Sequence, residues 1–242
     1  MTYRNRHECK FVVPETVAAR VRQQLRPYVV PDPFAAGHPD HSYRISSLYL
    51  DDAAGTLYRE TVEGRAQRFK LRVRAYDDLP DSPIFLEVKR RHDRVVQKLR
   101  CPLRRRDLPA VLAGHIEAEL ELPAHQRQSL REFVRLQQLR RAMPRLLVRY
   151  QRQAYVGLDD DDARITFDRA LSASSETAPI VRQGGRFETV PVRGVILELK
   201  FTDRYPRWMA AVVRGCELRR GSFSKYCRSA DALADRGHVI AL

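Results

Sequence analysis

Lysine is scarce in this chain: only six of the 44 basic residues are lysines, and all the others are arginines. The lysines are Lys10, Lys70, Lys89, Lys98, Lys200 and Lys225. A lysine ammonium is a compact, strongly hydrated charge on a flexible stem, whereas an arginine guanidinium is a planar fork. Because arginine is the ordinary cation here, the few lysines indicate a site that needs point charges.

Several kinds of site are excluded because their signatures are missing. The four cysteines form no CxxC pair and no zinc spacing, and the seven histidines form no HExxH pattern. The GxxxxGK[ST] motif of a phosphate-binding P-loop is also missing. No apolar run is long enough to cross a bilayer and no secretory signal is present, so we expect a cytoplasmic protein.

Composition and charge indicate a globular protein with an anionic partner. The 242 residues are 43% hydrophobic and carry a net charge of +14. This length supports a substantial core, and we predict one domain over residues 1–242. The positive charge is typical of proteins that bind nucleic acid, phosphorylated small molecules, polyanions or acidic membranes, and charge alone leaves these partners open.

Apolar and charged residues alternate in several strand-like segments, among them 68–76, 86–89 and 195–201. Alternation with a period of two places the charges on one face of a strand. A half-solvated sheet has the same pattern. However, the charged faces carry both signs, and helical segments are available to cover the apolar faces. We therefore predict an α+β protein, an antiparallel β-barrel with a charged lumen and helices packed on the outside.

The pattern predicts strands and helices along the whole chain. Strands are expected at 5–13, 43–50, 67–76, 83–91, 94–102, 145–156, 163–169, 186–191 and 193–201. Helical spacing follows Pro14, runs through 106–141 and begins again after Pro206, and Ser224 suits the start of a last helix through Ala234. The arginine-rich segment 127–149 reads either as a solvated helix face or as a docking surface for a polyanion.

Eight short motifs occur in order along the chain. They are RHECKF (6–11), SLYLD (47–51), KLRVR (70–74), LEVK (86–89), YQR (150–152), RITFD (164–168), LELK (197–200) and FSKY (223–226). Together they resemble the VTC (vacuolar transporter chaperone) domain, the polyphosphate polymerase branch of the triphosphate tunnel metalloenzymes. The resemblance covers about residues 4–236.

The resemblance implies a barrel whose lumen binds a triphosphate and a chain of phosphates together with a divalent metal, Mn²⁺ or Mg²⁺. It further implies transfer of the γ-phosphoryl group of ATP onto a growing polyphosphate chain, with release of ADP. The expected partners are therefore ATP and inorganic polyphosphate. A lumen lined by cations suits this reaction, because phosphoryl transfer depends mainly on positioning and on neutralisation of charge.

The resemblance also assigns roles by position. The residues expected to hold phosphates are Lys10, Arg72, Arg74, Lys89, Lys98, Arg152 and Lys225. Further substrate contacts are expected from Tyr150, Ser224, Arg91 and Lys200. Glu198 is the expected metal carboxylate, and Glu8 is a second candidate. Six other residues share these faces: Arg6, Lys70, Glu87, Arg100, Arg164 and Asp168. For each of them, and also for Arg91 and Lys200, two roles are open, an internal salt bridge or direct contact with substrate.

Two departures bear on the reaction. Tunnel hydrolases typically begin with an ExExK strand, whereas this chain has Arg6 before Glu8 and Lys10. The loss of one metal carboxylate favours transfer to a phosphate acceptor over hydrolysis. The second departure is Ser222, where the polymerase pattern has a further lysine.

Two alternatives to the polymerase remain open. One is a tunnel-fold triphosphatase or tripolyphosphatase. The other is a non-catalytic binder of polyphosphate or nucleic acid. Nucleic acid is the weaker partner, because aromatic residues are not interleaved with the cations as stacking platforms require.

Overall fold

Ten antiparallel strands and seven α-helices make up the part of the chain that the computed structural model describes, which comprises residues 6–93, 95–116, 122–158 and 162–238. The strands are β1 (Arg6–Val13), β2 (Val29–Pro31), β3 (Ser42–Asp51), β4 (Gln67–Ala75), β5 (Ile84–His92), β6 (Val95–Leu103), β7 (Met143–Gly157), β8 (Arg164–Ser175), β9 (Glu188–Thr189) and β10 (Val195–Thr202). The helices are α1 (Glu15–Leu25), α2 (Pro33–Ala36), α3 (Thr56–Val62), α4 (Leu108–Leu112), α5 (Ala124–Leu139), α6 (Arg207–Gly215) and α7 (Lys225–Ala234). The predicted α+β class with a large antiparallel sheet is confirmed.

The strand pairings lead round the sheet. The order is β2-β7-β3-β4-β5-β6-β1-β10-β8-β9, and β7 also pairs with β8. Within the described residues, one register pair joins β1 to β6, Arg6 with Val96. Closure of the sheet into a tunnel stays a prediction.

Helices cover the outer face of the sheet on two sides, as the sequence predicts. On one side α4 and α5 bury the apolar residues of β3 to β6, with Phe133 packed in the same cluster as Leu71 and Leu86. On the other side α1 and α6 cover β1, β8 and β10, where Val21 and Leu197 are fully buried. Each cluster takes the apolar half of the period-two pattern, so the charged half is left to the inner face.

Helix α7 corrects the expectation that all helices lie outside. Its residues Tyr226 and Leu233 pack with Tyr49 and Val148 in a third buried cluster. Val148 is on the same face of β7 as Tyr150, so α7 lies against the inner face of the sheet. The physical reason is that the inner face becomes apolar along β7, and an amphipathic helix fills the space that charged side chains do not occupy. Ser224 caps this helix by accepting a hydrogen bond from the Cys227 amide, which confirms the predicted start.

Asp51 fixes α7 in this position. Its buried carboxylate accepts hydrogen bonds from the Leu57 and Tyr58 amides at 2.9 Å, at the first turn of α3. The same carboxylate accepts a hydrogen bond from the Tyr226 hydroxyl at 2.7 Å. Burial raises the pKa of Tyr226, and the neighbouring Asp51 raises it further, so the hydroxyl remains a donor. One carboxylate thus joins β3, α3 and α7.

In the described part of the chain no helix has both the length and the apolarity that a bilayer crossing requires.

We predict that Tyr226→Phe lowers the free energy of unfolding by about 2 kcal/mol, because the substitution removes a buried hydrogen bond to a charged group. Urea unfolding monitored by circular dichroism measures the change. The control is Tyr28→Phe, since Tyr28 is 41% exposed. Equal stability of the two variants would show that Asp51 does not hold α7 through Tyr226.

Candidate functional site

A strongly basic cavity of about 540 Å³ lies on the inner face of the sheet. Its size falls in the range of small-molecule sites. Eleven basic side chains line it: Lys10, Lys70, Arg72, Arg74, Lys89, Lys98, Arg100, Arg152, Arg164, Lys200 and Lys225. Among the described residues only three acidic ones join them, Glu8, Asp162 and Glu198. The cavity is therefore suited to a multiply charged anion.

The cavity brings together nearly all of the residues predicted for the site. Twelve of them line it: Glu8, Lys10, Arg72, Arg74, Lys89, Lys98, Tyr150, Arg152, Glu198, Lys200, Ser224 and Lys225. All six lysines of the chain are on this surface. The scarcity of lysine therefore does mark one site.

The structure corrects the expectation for Arg91, which does not line the cavity. Its Nε donates a hydrogen bond to the Asp93 carbonyl oxygen at 2.8 Å, at the turn between β5 and β6. The alternation of charges continues to the end of β5, but the strand reaches the turn there. Period two alone cannot show where a strand leaves a cavity.

Several polar and aromatic residues of the lining are not among the residues predicted from the sequence. Tyr43 and Tyr49 on β3, Tyr76 after β4, and Asp162 and Thr202 all contribute to it. The segment 43–50 lacks alternating charges, so a search for cationic strands passes over its tyrosines. Of the side chains with two open roles, Lys70, Arg100 and Arg164 also line the cavity. The side chain of Arg6 lies outside the described part of the structure.

Glu87 is the centre of one cluster of cations. Its carboxylate contacts the Arg72 Nε and the Lys98 Nζ, each at 2.7 Å. Arg74 and Arg100 approach it to 3.8 and 3.6 Å. Burial alone would raise the pKa of Glu87, but attraction to Arg72 and Arg74 holds it well below its usual range. One buried negative charge thus holds four positive side chains in place.

Asp168 and Glu198 organise a second cluster. Asp168 accepts a bidentate pair of hydrogen bonds from Arg152, both at 2.7 Å, and lies 2.6 Å from the Lys225 Nζ. Glu198 lies 2.9 Å from the same Nζ and 2.7 Å from the Lys200 Nζ. Three cations, Arg152, Lys200 and Lys225, face these two carboxylates, so the cluster keeps an excess of positive charge for a ligand.

Glu8 and Glu198 are the two carboxylates that a divalent cation could use. One Glu8 oxygen accepts a hydrogen bond from Lys89 at 2.7 Å. The other, Oε1, is buried, has no hydrogen-bond partner within the described ranges, and lies 3.9 Å from the Lys200 Nζ. Burial would raise the pKa of Glu8, but Lys10 and Lys89 lower it to about 2. Glu8 therefore stays ionised and offers an oxygen that a cation could use, whereas both oxygens of Glu198 already contact lysines.

These two carboxylates fit a metal that arrives with a phosphate ligand. Among the described residues no group of three or more His, Cys, Asp or Glu side chains could hold an ion. Mg²⁺ commonly uses one or two carboxylates and takes its other ligands from water and substrate phosphates. The metal role of Glu198 and Glu8 stays a prediction, and the site has the chemistry it requires.

Lys70 differs from the other lysines of the cavity because its neighbours include no close carboxylate among the described contacts. Its Nζ donates a hydrogen bond to the Ser224 hydroxyl at 2.8 Å. Burial lowers the pKa of Lys70 to about 7, and Lys10 and Lys89 lower it in the same sense. Burial also lowers the pKa of Lys200 to about 8, although Glu198 opposes the shift. A bound anion would stabilise the protonated form of both ammonium groups.

We predict that Glu87→Gln lowers the free energy of unfolding by about 3 kcal/mol, because it leaves four neighbouring cations without their counter-charge. Sodium tripolyphosphate should restore most of the loss, since its charge replaces the carboxylate. Thermal unfolding with and without the anion measures both effects. Glu132→Gln is the matched control, because Glu132 of α5 also pairs with two arginines, Arg90 of β5 and Arg135 of α5, and does not line the cavity. A variant as stable as this control would contradict the role of Glu87.

Comparison with known proteins agrees with this geometry. The VTC domain family matches residues 5–234. No curated protein sequence is significantly similar to the chain. Among solved structures, a candidate adenylyl cyclase from Hippeastrum, reported to reveal a dominant triphosphatase activity, is 13% identical with a TM-score of 0.52 over 95% of this chain and 96% of that one. A candidate adenylate cyclase from Bacillus halodurans is 10% identical with a TM-score of 0.51 over 91% and 94%.

At these identities the structural likeness shows the fold alone, while the family match spans nearly the whole chain. The chain therefore belongs to the VTC domain family, a tunnel-fold family of phosphate-handling enzymes.

Proposed function

We propose that this protein is a polyphosphate polymerase, a metal-dependent phosphotransferase that moves the γ-phosphoryl group of ATP onto a growing polyphosphate chain. The observation that carries the proposal is the cavity itself, where eleven basic side chains surround a space of about 540 Å³. Such a lining suits a substrate and a product that are both chains of linked phosphates.

The proposed reaction space is a closed tunnel. The pairing of β7 with β8 supports it, because pairings then run from β7 through β3, β4, β5, β6, β1, β10 and β8 back to β7. A tunnel would hold donor and acceptor phosphates in line and keep bulk water away from the transferring group. All eight strands of this ring belong to the single domain that the sequence predicts.

Arginines and lysines have different tasks in the proposed mechanism. Arg72 and Arg152 are fixed by carboxylates before any ligand binds, so their donors need little rearrangement when charge develops on the phosphoryl oxygens. Their planar forks suit bidentate contact with phosphate. Lys10 and Lys89 place flexible point charges nearby and can follow the phosphates as they shift.

Glu198 and Glu8 would hold Mg²⁺ or Mn²⁺ in this proposal, and the ion, when bound, would neutralise part of the charge on the phosphates. Arg6, on the backbone of β1 opposite Thr202, replaces the first carboxylate of the hydrolase pattern. The reduced set of carboxylates supports transfer to phosphate over attack by a metal-activated water.

The experiment that tests the function incubates the protein with ATP and Mn²⁺ and quantifies ADP, free phosphate and polymer. We expect ADP in step with polymer that an exopolyphosphatase degrades. Free phosphate without polymer would select the triphosphatase instead, and tight binding without turnover would select a non-catalytic binder.

Glu198→Gln separates the proposed metal role from anion binding. We expect turnover to fall by about 100-fold, because loss of even the outer partners of a metal site costs about 10- to 100-fold. Affinity for tripolyphosphate in the absence of metal should stay the same or increase, because a negative charge leaves the lining. Isothermal titration calorimetry measures that affinity, and Glu132→Gln serves as the control. Undiminished turnover would remove Glu198 from the metal role.

Affinity for tripolyphosphate should fall as the pH rises from 7 to 9. Anion binding favours the protonated ammonium groups of Lys70 and Lys200, whose pKa values are about 7 and about 8 in the free protein. Binding must then take up protons, and the association constant falls by up to about tenfold per pH unit for each group that titrates. Titration in two buffers of different ionisation enthalpy measures the uptake.

Lys70→Arg is the matched variant for this pH dependence, since arginine stays charged at every pH in the range. We expect it to remove the step near pH 7 and keep the step near pH 8. An unchanged pH profile would show that Lys70 does not titrate on binding.

A further inference from the structure

Three aromatic rings stand together at the edge of the basic cavity. Phe34 of α2 lies with its ring centroid 4.7 Å from that of Tyr43 and 5.1 Å from that of Tyr76. Tyr43 and Tyr76 line the cavity. Phe34, Tyr43 and Tyr76 are called the aromatic ledge below. The proposed phosphoryl transfer makes no use of them.

The ledge is held in place by the cavity's own charged residues. Asp32, only 3% exposed, caps α2 by accepting a hydrogen bond from the Ala35 amide at 2.7 Å. The same carboxylate is paired with Arg164 of the cavity lining and lies 3.5 Å from the Tyr43 hydroxyl. On the other side, Arg100 donates a hydrogen bond to the Tyr76 hydroxyl at 3.1 Å. The rings therefore have fixed positions relative to the cations.

One ring of the ledge remains open to a ligand. Phe34 is 44% exposed although it contacts two tyrosines and His38. A large aromatic side chain contributes most to the free energy of binding when its surface is covered. The exposed ring of Phe34 beside a phosphate cavity therefore offers a surface on which a ligand can stack. A nucleobase has a flat π-face that such a ring covers well.

We infer that the ledge receives the nucleobase of a nucleoside triphosphate whose phosphates lie in the cavity. This inference rests on the proposed function, since it requires the cavity to hold the triphosphate. Stacking tolerates every base but grows with ring area, so the ledge favours purine over pyrimidine nucleotides. Inorganic tripolyphosphate carries the same phosphates without a base and makes no contact with Phe34.

The test compares ATP, UTP and tripolyphosphate by isothermal titration calorimetry on the intact protein, Phe34→Leu and Phe34→Trp. Leucine keeps apolar bulk and removes the aromatic face, whereas tryptophan enlarges it. We expect Phe34→Leu to weaken ATP binding by at least about fivefold and to bring ATP and UTP closer in affinity. Tripolyphosphate affinity should not change, and Phe34→Trp should bind ATP at least as well as the unaltered protein.

The control variant is Tyr28→Leu, because Tyr28 is an exposed aromatic residue stacked on Trp208, at 5.4 Å, and is not part of the cavity lining. Equal weakening of ATP and tripolyphosphate in Phe34→Leu would show that the ledge only supports the fold, and no weakening of either would also overturn the inference. If tripolyphosphate fails to bind the unaltered protein, the phosphate cavity is wrong and the ledge assignment falls with it.

Discussion

Repulsion among like charges is the constraint on which this structure depends. Two unit charges 4 Å apart cost about 4 kcal/mol at the effective dielectric of a protein surface, and eleven basic side chains face one cavity here. The sheet tolerates this because Glu8, Glu87, Asp168 and Glu198 are distributed among the cations. Each shared carboxylate offsets part of the repulsion and still leaves a surplus for an anionic ligand.

The same constraint explains the layout of the hydrophobic clusters. Charged side chains occupy one face of the strands, so the apolar face must be covered from outside by α1, α4, α5 and α6. The inner face turns apolar where β7 passes from Arg152 and Tyr150 to Val148, and α7 closes that part. Asp51 holds α7 through the hydrogen bond from Tyr226, so the helix has a fixed position beside the charged cavity.

The sequence predicts the parts of the site that follow from strand periodicity. Arg72, Arg74, Lys89 and Lys200 reach the cavity because period two fixes their face once a strand is recognised. The position of α7 could not be foreseen, since an amphipathic pattern shows that a helix is half buried but not which face of a sheet it covers.

Contacts between distant segments are the other part that periodicity cannot supply. Phe34, Tyr43 and Tyr76 belong to three separate segments, and their rings meet only because the chain folds α2 back over the start of β3. Arg91 shows the converse case. It continues a regular alternation, yet its side chain bonds the turn at Asp93 because the strand ends there.

A lining made of cations alone would face a problem of direction. Donor and acceptor in the proposed reaction are both chains of phosphate, and each phosphate presents nearly the same oxygens to Arg72, Lys89 or Lys225. Cations can therefore fix how strongly a chain binds but not which end of it lies where. A group that recognises something other than phosphate can orient the donor, and the aromatic ledge beside Arg100 and Arg164 is the group that we infer for this task.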